Sequence, residues 1–394
     1  MQKVRILKVL AVMGIMLLLL PTNLMAERMP VAILRTNADG KTKTLTFTYA
    51  ERPKVFARRG QNGIHRLNKG MFKDEAEHYK NFYIIEDQPT WLDMKFSDEL
   101  NYVNNDKITT VKFDKSFSMA RPTSTFYWFC GLRKLKTIIG IENLNTSEVK
   151  YMISMFEECC SLTELDLSGF NTANVEDMSF MFKGCSQLKT LDVSGFNTAN
   201  VEIMMCMFSG CSQLETIDVS GFNTANVGSM SSMFEGCSQL ETIDVSGFNT
   251  ANLPGMSCMF RGCHNLKSID ISSFNIGKIV SDQYANNDIW NNEEEKRESL
   301  HKCVDDIFSG CSNLRTINIG GNDFSIFTTY NADIPGDVFK GVGTIGSPCR
   351  LIVNQQFDQS VLGPKHDNGN GGFYRWLNGY FTLDTARPES ETNY

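Results

Sequence analysis

Six cysteines recur along the chain at nearly regular intervals, and their thiols are the first side chains whose spacing suggests chemistry. Metal binding needs ligands a few residues apart, as in CxxC pairs, and the 26-residue interval here supplies none. Disulfides between neighbouring repeats are conceivable in an exported protein. We expect these cysteines to lie on the helix side of the array, however. There the Cα–Cα distance between adjacent repeats would exceed the ~7 Å limit of a disulfide. The favoured interpretation is buried free thiols that act as small apolar side chains; the six are Cys159, Cys185, Cys211, Cys237, Cys263 and Cys311.

Aspartate and serine also recur, two residues apart, in five successive repeats. Like charges in register repel, so something must compensate for the aspartates. Hydrogen bonds to the backbone or to serine, a basic patch on a partner, and a cation such as Ca²⁺ are three open explanations. We predict that these residues, with Trp290 from an insertion, form a ligand-binding face on the concave side: Asp166, Ser168, Asp192, Ser194, Asp218, Ser220, Asp244, Ser246, Asp270 and Ser272.

The insertion, roughly residues 280–301, offers two interpretations. Asn292 followed by acidic residues 293–295 predicts a capped helix start, typical of a solvated loop with a helical extension. Exposed Trp290 and Tyr284 would alternatively suit a binding hot spot. A metal site from His264, His301 and Cys303 is disfavoured, and the sequence predicts no metal and no cofactor.

Catalysis finds little support in the sequence. The chain has five His and contains no HExxH, GxSxG or Walker A motif, and no GxGxxG in a βαβ context. A catalytic site needs unlike groups at one point, whereas near-identical repeats offer a repetitive surface. We therefore predict that the protein is not an enzyme. One alternative is an exported hydrolase with its centre in Met29–Phe126 or Asp337–Tyr394 and the repeats presenting substrate. The other is a structural component of a surface layer.

The elements that position these residues follow from a 26-residue period. Residues 185–201 read CSQLKTLDVSGFNTANV, and the same motif returns with few changes at 211 and 237, while an MF pair recurs five times from Met155-Phe156. Alternation around Leu191 and Val193 predicts a short strand. Asn174 is placed to cap a short helix over 175–184. The fold class predicted is therefore an α/β leucine-rich-repeat solenoid, curved because helices are wider than strands, with a cap at each end.

Two sets of apolar side chains are assigned to the interior of this array. Met152, Met155, Met178 and Met181 lie at helical spacing, which favours core packing over a methionine-rich binding groove or a metal relay. Phe196, Phe222 and Phe248 recur at one position of the repeat and are expected to stack inside the array.

Composition and length set the remaining limits. The chain of 394 residues carries a formal net charge of −7, which argues against a nucleic-acid binder. Residues 1–26 read as a basic segment, an apolar run and a small-residue cleavage site, and the 12 residues from Val9 to Leu20 are too few to span a bilayer. We predict a cleaved signal peptide, with a retained anchor as the alternative, and a mature chain without a membrane span that is secreted or held at the outer cell surface.

The predicted organisation has four parts. Residues 1–26 are the signal peptide, 27–127 an N-terminal cap, 128–335 the repeat array with its insertion, and 336–394 a C-terminal cap and tail. Within these, residues 30–49 predict a hairpin around Asp39-Gly40. A degenerate first copy starts at Phe129-Cys130-Gly131, and Val338-Phe339 begins a worn final copy.

The repeat in its specific form, MFxGCSxLxxLDVSGFNTANV, resembles the BspA-like leucine-rich-repeat surface proteins. The resemblance covers roughly Ile108 to Val353, and both Ala120–Phe129 and Cys349–Asp384 look like that family's ends. It implies adhesion to host extracellular-matrix proteins or to other cell-surface proteins. Larger members carry immunoglobulin-like modules and a C-terminal sorting domain, which this sequence lacks, so the attachment route and the oligomeric state stay open.

Overall fold

The computed structural model describes residues 28–51, 82–84, 107–275, 306–320, 339, 341–343, 347–353 and 381–385, and the structural statements below concern these residues. The predicted signal peptide and the 280–301 insertion, with Tyr284, Trp290, Asn292, His301 and Cys303, lie outside them.

A five-stranded sheet forms the N-terminal end of the described structure, in the order β3-β1-β2-β4-β5. The predicted hairpin is present: β1 and β2 pair antiparallel, and Gly40 sits in the connecting turn with φ of 65°. The pairings β2–β4 and β4–β5 are parallel, so the sheet passes from a hairpin into the parallel stacking of the repeats. The strands are Arg28–Thr36 (β1), Lys43–Glu51 (β2), Phe82–Ile84 (β3), Ile108–Phe113 (β4) and Thr137–Ile139 (β5).

An aromatic cluster joins this sheet to the first repeat. The Phe47 ring stacks on Phe113 at a centroid distance of 4.8 Å and on Trp128 at 5.3 Å. Phe117, on a short 3₁₀ helix over Lys115–Met119, and Phe129 meet the Phe47 ring edge-on. A second 3₁₀ helix covers Ile141–Asn143. The aromatic rings cover the apolar end of the array, which has no neighbouring repeat to bury it.

The prediction of one short helix per repeat is wrong. No α-helix occurs in the described residues, and the segment carrying the MF pair is a run of overlapping turns. The Met155 amide donates to the Met152 carbonyl at 3.3 Å, and the Cys159 amide donates to the Phe156 carbonyl at 3.1 Å. Ser154 and Glu158 have φ of 54° and 60°, as the third residue of a type II turn requires.

Turns replace the helix because the amides between the turns bond to the next repeat. The Ser154 amide donates to Ser179 at 2.9 Å and the Phe156 amide donates to Met181 at 2.8 Å. An α-helix would satisfy these amides internally. Packed helices also need roughly 8–10 Å between their axes, which is wider than amide bonding between repeats allows. The curvature predicted from the sequence rested on helices being wider than strands, so that reason disappears with the helices.

One phenylalanine per repeat forms a continuous column, here called the phenylalanine stack. Successive rings lie 5.4–5.8 Å apart and nearly parallel. Phe260 and Phe308 are neighbours in the stack although the insertion separates them in sequence, so the stack is continuous between these two repeats. Phe339 extends the stack into the predicted final copy. The members are Phe156, Phe182, Phe208, Phe234, Phe260, Phe308 and Phe339.

The strand side of the array forms regular strands at its two ends but not in the central repeats. A four-stranded parallel sheet at the C-terminal end has the order β6-β7-β8-β9. In the central repeats the predicted strand is reduced to an isolated bridge between Thr190 and Thr216. The strands are Ser268–Asp270 (β6), Thr316–Gly320 (β7), Cys349–Val353 (β8) and Phe381–Thr385 (β9).

The interior contains the apolar side chains that the repeat predicts. The methionines of the predicted stripe are fully buried, which confirms core packing. Phe196, Phe222 and Phe248 are buried as well, at 6%, 4% and 2% exposure. The ring stacking described above, however, runs through the phenylalanine of the MF pair.

Candidate functional site

The five aspartates of the predicted ligand-binding residues each form a local turn with the serine two residues on. Asp192 Oδ1 accepts the Ser194 amide at 3.0 Å and its hydroxyl at 2.6 Å, and Asp218 and Asp244 repeat both bonds with Ser220 and Ser246. The first and last aspartates accept the serine amide at 2.9 Å and 2.8 Å. We call this set the Asp–Ser face: Asp166, Ser168, Asp192, Ser194, Asp218, Ser220, Asp244, Ser246, Asp270 and Ser272.

The carboxylates of the Asp–Ser face are charged and accessible. Asp166, Asp192, Asp218 and Asp244 are exposed. Hydrogen bonds from the partner serine hold the pKa of each of these four carboxyls below its usual 3.8. Hydrogen bonds to serine therefore account for the recurring aspartates, and the carboxylate charges still face solvent.

Two edges bound this face. At its C-terminal end Asp270 is only partly exposed, and its Oδ2 accepts the Asn318 amide at 2.8 Å. Along one side, lysine and glutamate pair across adjacent repeats, with Lys189–Glu215 at 3.8 Å and Lys267–Glu241 at 2.5 Å. These exposed pairs leave the aspartates as the main unpaired charge of the central repeats.

The described residues do not form a metal-binding site. Among them, no group of three or more His, Cys, Asp or Glu side chains is placed to hold an ion. His264 Nδ1 lies 2.6 Å from the Gly310 carbonyl, in the next repeat of the stack. Its suggested partners His301 and Cys303 lie outside the described residues, as does Trp290.

The six recurring cysteines form a buried column, here called the thiol column. Five of the six thiols donate to the carbonyl of the stacked phenylalanine in the preceding repeat, as Cys211 does to Phe182 at 3.2 Å, and Cys159 donates to the Phe129 carbonyl at 3.3 Å. All described cysteines are free. Burial raises the pKa of the Cys211 and Cys311 thiols to about 12. The spacing argument against disulfides was wrong, because hydrogen-bonded repeats lie close together here; each thiol instead bonds to a carbonyl.

The FNTAN segment joins neighbouring repeats, a role that sequence reasoning missed. The buried Thr198 hydroxyl donates to the Asn223 carbonyl at 3.1 Å and accepts the Asn223 amide at 2.8 Å. The Asn174 side chain donates to the Ser147 carbonyl of the preceding repeat at 2.8 Å, so its predicted helix-capping role is wrong. The repetition of threonine and asparagine at fixed positions was the available signal.

A second surface, also missed, lies on the side built from turns. Adjacent amide bonds align two columns of positions there, for example Tyr127 to Ile153, Ser154 to Ser179 and Phe180 to Met205. Most of these positions are partly exposed, whereas Ser154 and Ser179 are buried. These positions differ from repeat to repeat, whereas the Asp–Ser face does not. We call it the turn face: Phe126, Ile153, Ser179, Met205, Ser231 and Ser257 in one column, and Tyr127, Ser154, Phe180, Cys206, Ser232, Cys258 and Asp306 in the other.

The turn face changes character along the array. Phe126, Tyr127, Phe180 and Met205 are partly exposed near its N-terminal end. Serine dominates the same columns further on. The variation between otherwise near-identical repeats was a signal present in the sequence.

Comparison with known proteins gives a matching family and structural likenesses. The family model described as "Mycoplasma protein of unknown function, DUF285" matches residues 98–215 and 185–298, which together cover 201 of the 394 residues. No curated protein matches the chain. Among solved structures, a leucine rich cell surface protein from Faecalibacterium prausnitzii A2-165 is 15% identical, over 74% of this chain and 87% of that one, with a TM-score of 0.20. At this TM-score the likeness carries no argument about fold or function.

No helix among the described residues combines the length and apolar character that crossing a bilayer requires.

Proposed function

Since the chain belongs to the family described as "Mycoplasma protein of unknown function, DUF285", whose description leaves the activity open, we propose a function from its surface. The protein is a non-enzymatic binding module of the adhesion type, secreted or held at the outer cell surface. It recognises host extracellular-matrix proteins or other cell-surface proteins. The resemblance of its repeat to the BspA-like leucine-rich-repeat surface proteins supports this role.

The observation that carries the proposal is the row of aspartates at the same place in successive repeats. The serine bonds fix each carboxylate in one orientation, and the threonine and asparagine bonds fix the distance between repeats. A rigid, regularly spaced row of like charges loses little conformational freedom when a partner binds. It therefore suits a partner that presents several positive charges at once.

Electrostatics favour a basic protein surface as that partner. Carboxylates in register concentrate negative potential, which attracts a positive patch and accelerates association. Because the pKa values of these carboxyls lie below 3.8, the row stays charged over the physiological range. Binding should weaken with salt, as the Debye length falls from about 10 Å at 0.1 M to about 3 Å at 1 M.

The test is a solid-phase binding assay of the full chain on a panel of purified extracellular-matrix proteins. Asp192→Asn, Asp218→Asn and Asp244→Asn, made together, keep an oxygen for the serine bonds and remove three charges. We expect binding to the captured matrix protein to fall about tenfold at low salt.

A matched control removes three carboxylate charges away from the Asp–Ser face: Glu148→Gln, Glu176→Gln and Glu202→Gln. This control should bind as the wild type does. Equal loss in both variants would reduce the effect to net charge, and undiminished binding in the aspartate variant, with its fold intact, would exclude the Asp–Ser face.

A further inference from the structure

We propose that the N-terminal half of the turn face is a second docking surface, which takes an extended, basic and proline-rich segment of a partner protein. This surface goes beyond the Asp–Ser face and does not depend on it. Its aromatic members are Phe126, Tyr127 and Phe180, with Ile153 and Met205 beside them.

The backbone shows that these side chains are not required by the fold. Tyr127 and Phe180 have φ of 59° and 58°, in the left-handed region that bulky residues avoid. A non-glycine residue there costs roughly 1–2 kcal/mol. The residues at the same position elsewhere are serine, cysteine and aspartate, so no packing need selects an aromatic ring.

Glycine shows the contrast at the other left-handed position of the repeat. A Cβ on Gly184 would lie 2.7 Å from Glu158 Oε1, and one on Gly210 would lie 3.5 Å from the Gly184 Cα. Both neighbouring atoms belong to the preceding repeat, and glycine holds this position in the other repeats, whereas Glu158 holds it with φ of 60°. On the turn face Tyr127 and Phe180 are partly exposed, although Ser154 at the same position is buried, and the chain carries a side chain there in spite of its backbone cost.

The charges around the aromatic rings favour a cationic partner. Lys183 Nζ lies 5.1 Å from the centre of the Phe180 ring and 3.0 Å from Glu157 Oε1, so the surface already holds one cation between a ring and a carboxylate. A partner arginine can use the same two kinds of group, since cations over aromatic faces are attracted by the ring quadrupole. Arg133, Lys150 and Lys183 are already paired with Glu158, Glu176 and Glu157, whereas Glu148 and Glu202 of the same repeats are exposed carboxylates.

The spacing of the rings favours an extended segment. Tyr127 and Phe180 occupy the same column two repeats apart, which at the strand spacing of ~4.8 Å places them about 10 Å from each other. A polyproline II segment advances about 9.3 Å in three residues and docks on aromatic grooves without losing much conformational entropy. Arginine at every third position would therefore meet successive rings.

The experiment titrates a fluorescent twelve-residue peptide, with arginine at every third position and proline elsewhere, into the full chain. Control peptides carry glutamate in place of arginine, or arginine at every second position. We expect the wild-type chain to prefer the first peptide to both controls. No preference would overturn the proposal, as would binding of a neutral glycan but not of the peptide.

Variants copied from the chain's own repeats keep the test independent of folding. Tyr127→Ser and Phe180→Ser install the residue that Ser154 and Ser232 already provide, and together they should weaken peptide binding about tenfold or more with the melting temperature little changed. Ser232→Phe adds a third ring at the same interval and should strengthen binding. Unchanged affinity in both variants would exclude the turn face.

The aspartate variant of the Asp–Ser face separates this proposal from the proposed function. It should bind the peptide as the wild type does. If it loses the peptide while the serine variant keeps it, the peptide binds the Asp–Ser face, and the turn-face proposal fails while the proposed function survives.

Discussion

The Asp–Ser face and the turn face belong to the same repeats, but the repeats are identical on one and different on the other. On the Asp–Ser face an aspartate bonds to a serine in the same way from Asp166 to Asp270. On the turn face the corresponding positions run from Tyr127 through Phe180 and Cys206 to Ser232. A repeated surface can bind the same feature many times, whereas a surface that varies can form one distinct site.

The difference also shows what constrains each position. Asp192 and Thr198 satisfy backbone groups, and the same need arises in every repeat. The Phe180 side chain meets no such need, because serine or cysteine occupies the same position in other repeats. Invariance at Asp192 therefore follows from hydrogen bonds that every repeat needs, while its exposed charge remains accessible to a partner, and variation occurs at positions that the fold leaves free. The predictions below test this division.

The largest expected effect is in thiol reactivity. Cys211, buried in the thiol column with a pKa of about 12, should react with an alkylating reagent at pH 8 only when the array opens. Cys206 on the turn face is partly exposed and should react faster by a factor of about 1,000 or more. Mass spectrometry of pulse-alkylated native chain measures both rates, and equal rates would place both thiols on the same kind of surface.

The second effect is on the free energy of unfolding. Phe208→Ala removes a fully buried ring from the phenylalanine stack and should cost about 3–5 kcal/mol. Phe180→Ala, on the turn face, should cost less than about 1 kcal/mol. Urea unfolding followed by fluorescence gives both values, and a similar cost for the two would mean that Phe180 is part of the core.

A smaller loss is expected from the threonine bonds. Thr198→Val keeps the shape of the side chain but leaves the Asn223 amide and carbonyl without their partner, at about 1–3 kcal/mol. Thr190→Val, at an exposed position, should change stability by less than about 0.5 kcal/mol. If the first variant is as stable as the second, FNTAN does not hold the repeats together.

The smallest effect is the pH dependence of stability from the aspartates. Their pKa values are lower in the folded chain than the usual 3.8, so their contribution is complete above pH 3.8 and is lost as pH falls through the folded values. The triple aspartate-to-asparagine variant should show a shallower loss of stability in acid. If the free energy of unfolding in urea falls with acid as steeply in the variant as in the wild type, the serine bonds do not stabilise the folded chain.

The sequence predicted the repeat, the hairpin and the buried side chains because those depend on period and polarity. It could not distinguish helix from turns, since Met178, Met181 and Phe182 are buried in either conformation. What decides is the amide bonding between repeats, which only neighbouring copies can supply. The Asp–Ser pairs could be found from their regular spacing. The turn face could not, because its residue types vary between repeats and form no repeated motif.

The most direct test of the two-face account crosses the two variants with the two probes. Calorimetry measures the captured matrix protein and the arginine-proline peptide against the triple aspartate-to-asparagine variant and the double serine variant. The account predicts that each variant loses one probe, by about tenfold or more, and retains the other at wild-type affinity. Loss of both probes in one variant and of neither in the second would contradict it, because both ligands would then share a single face.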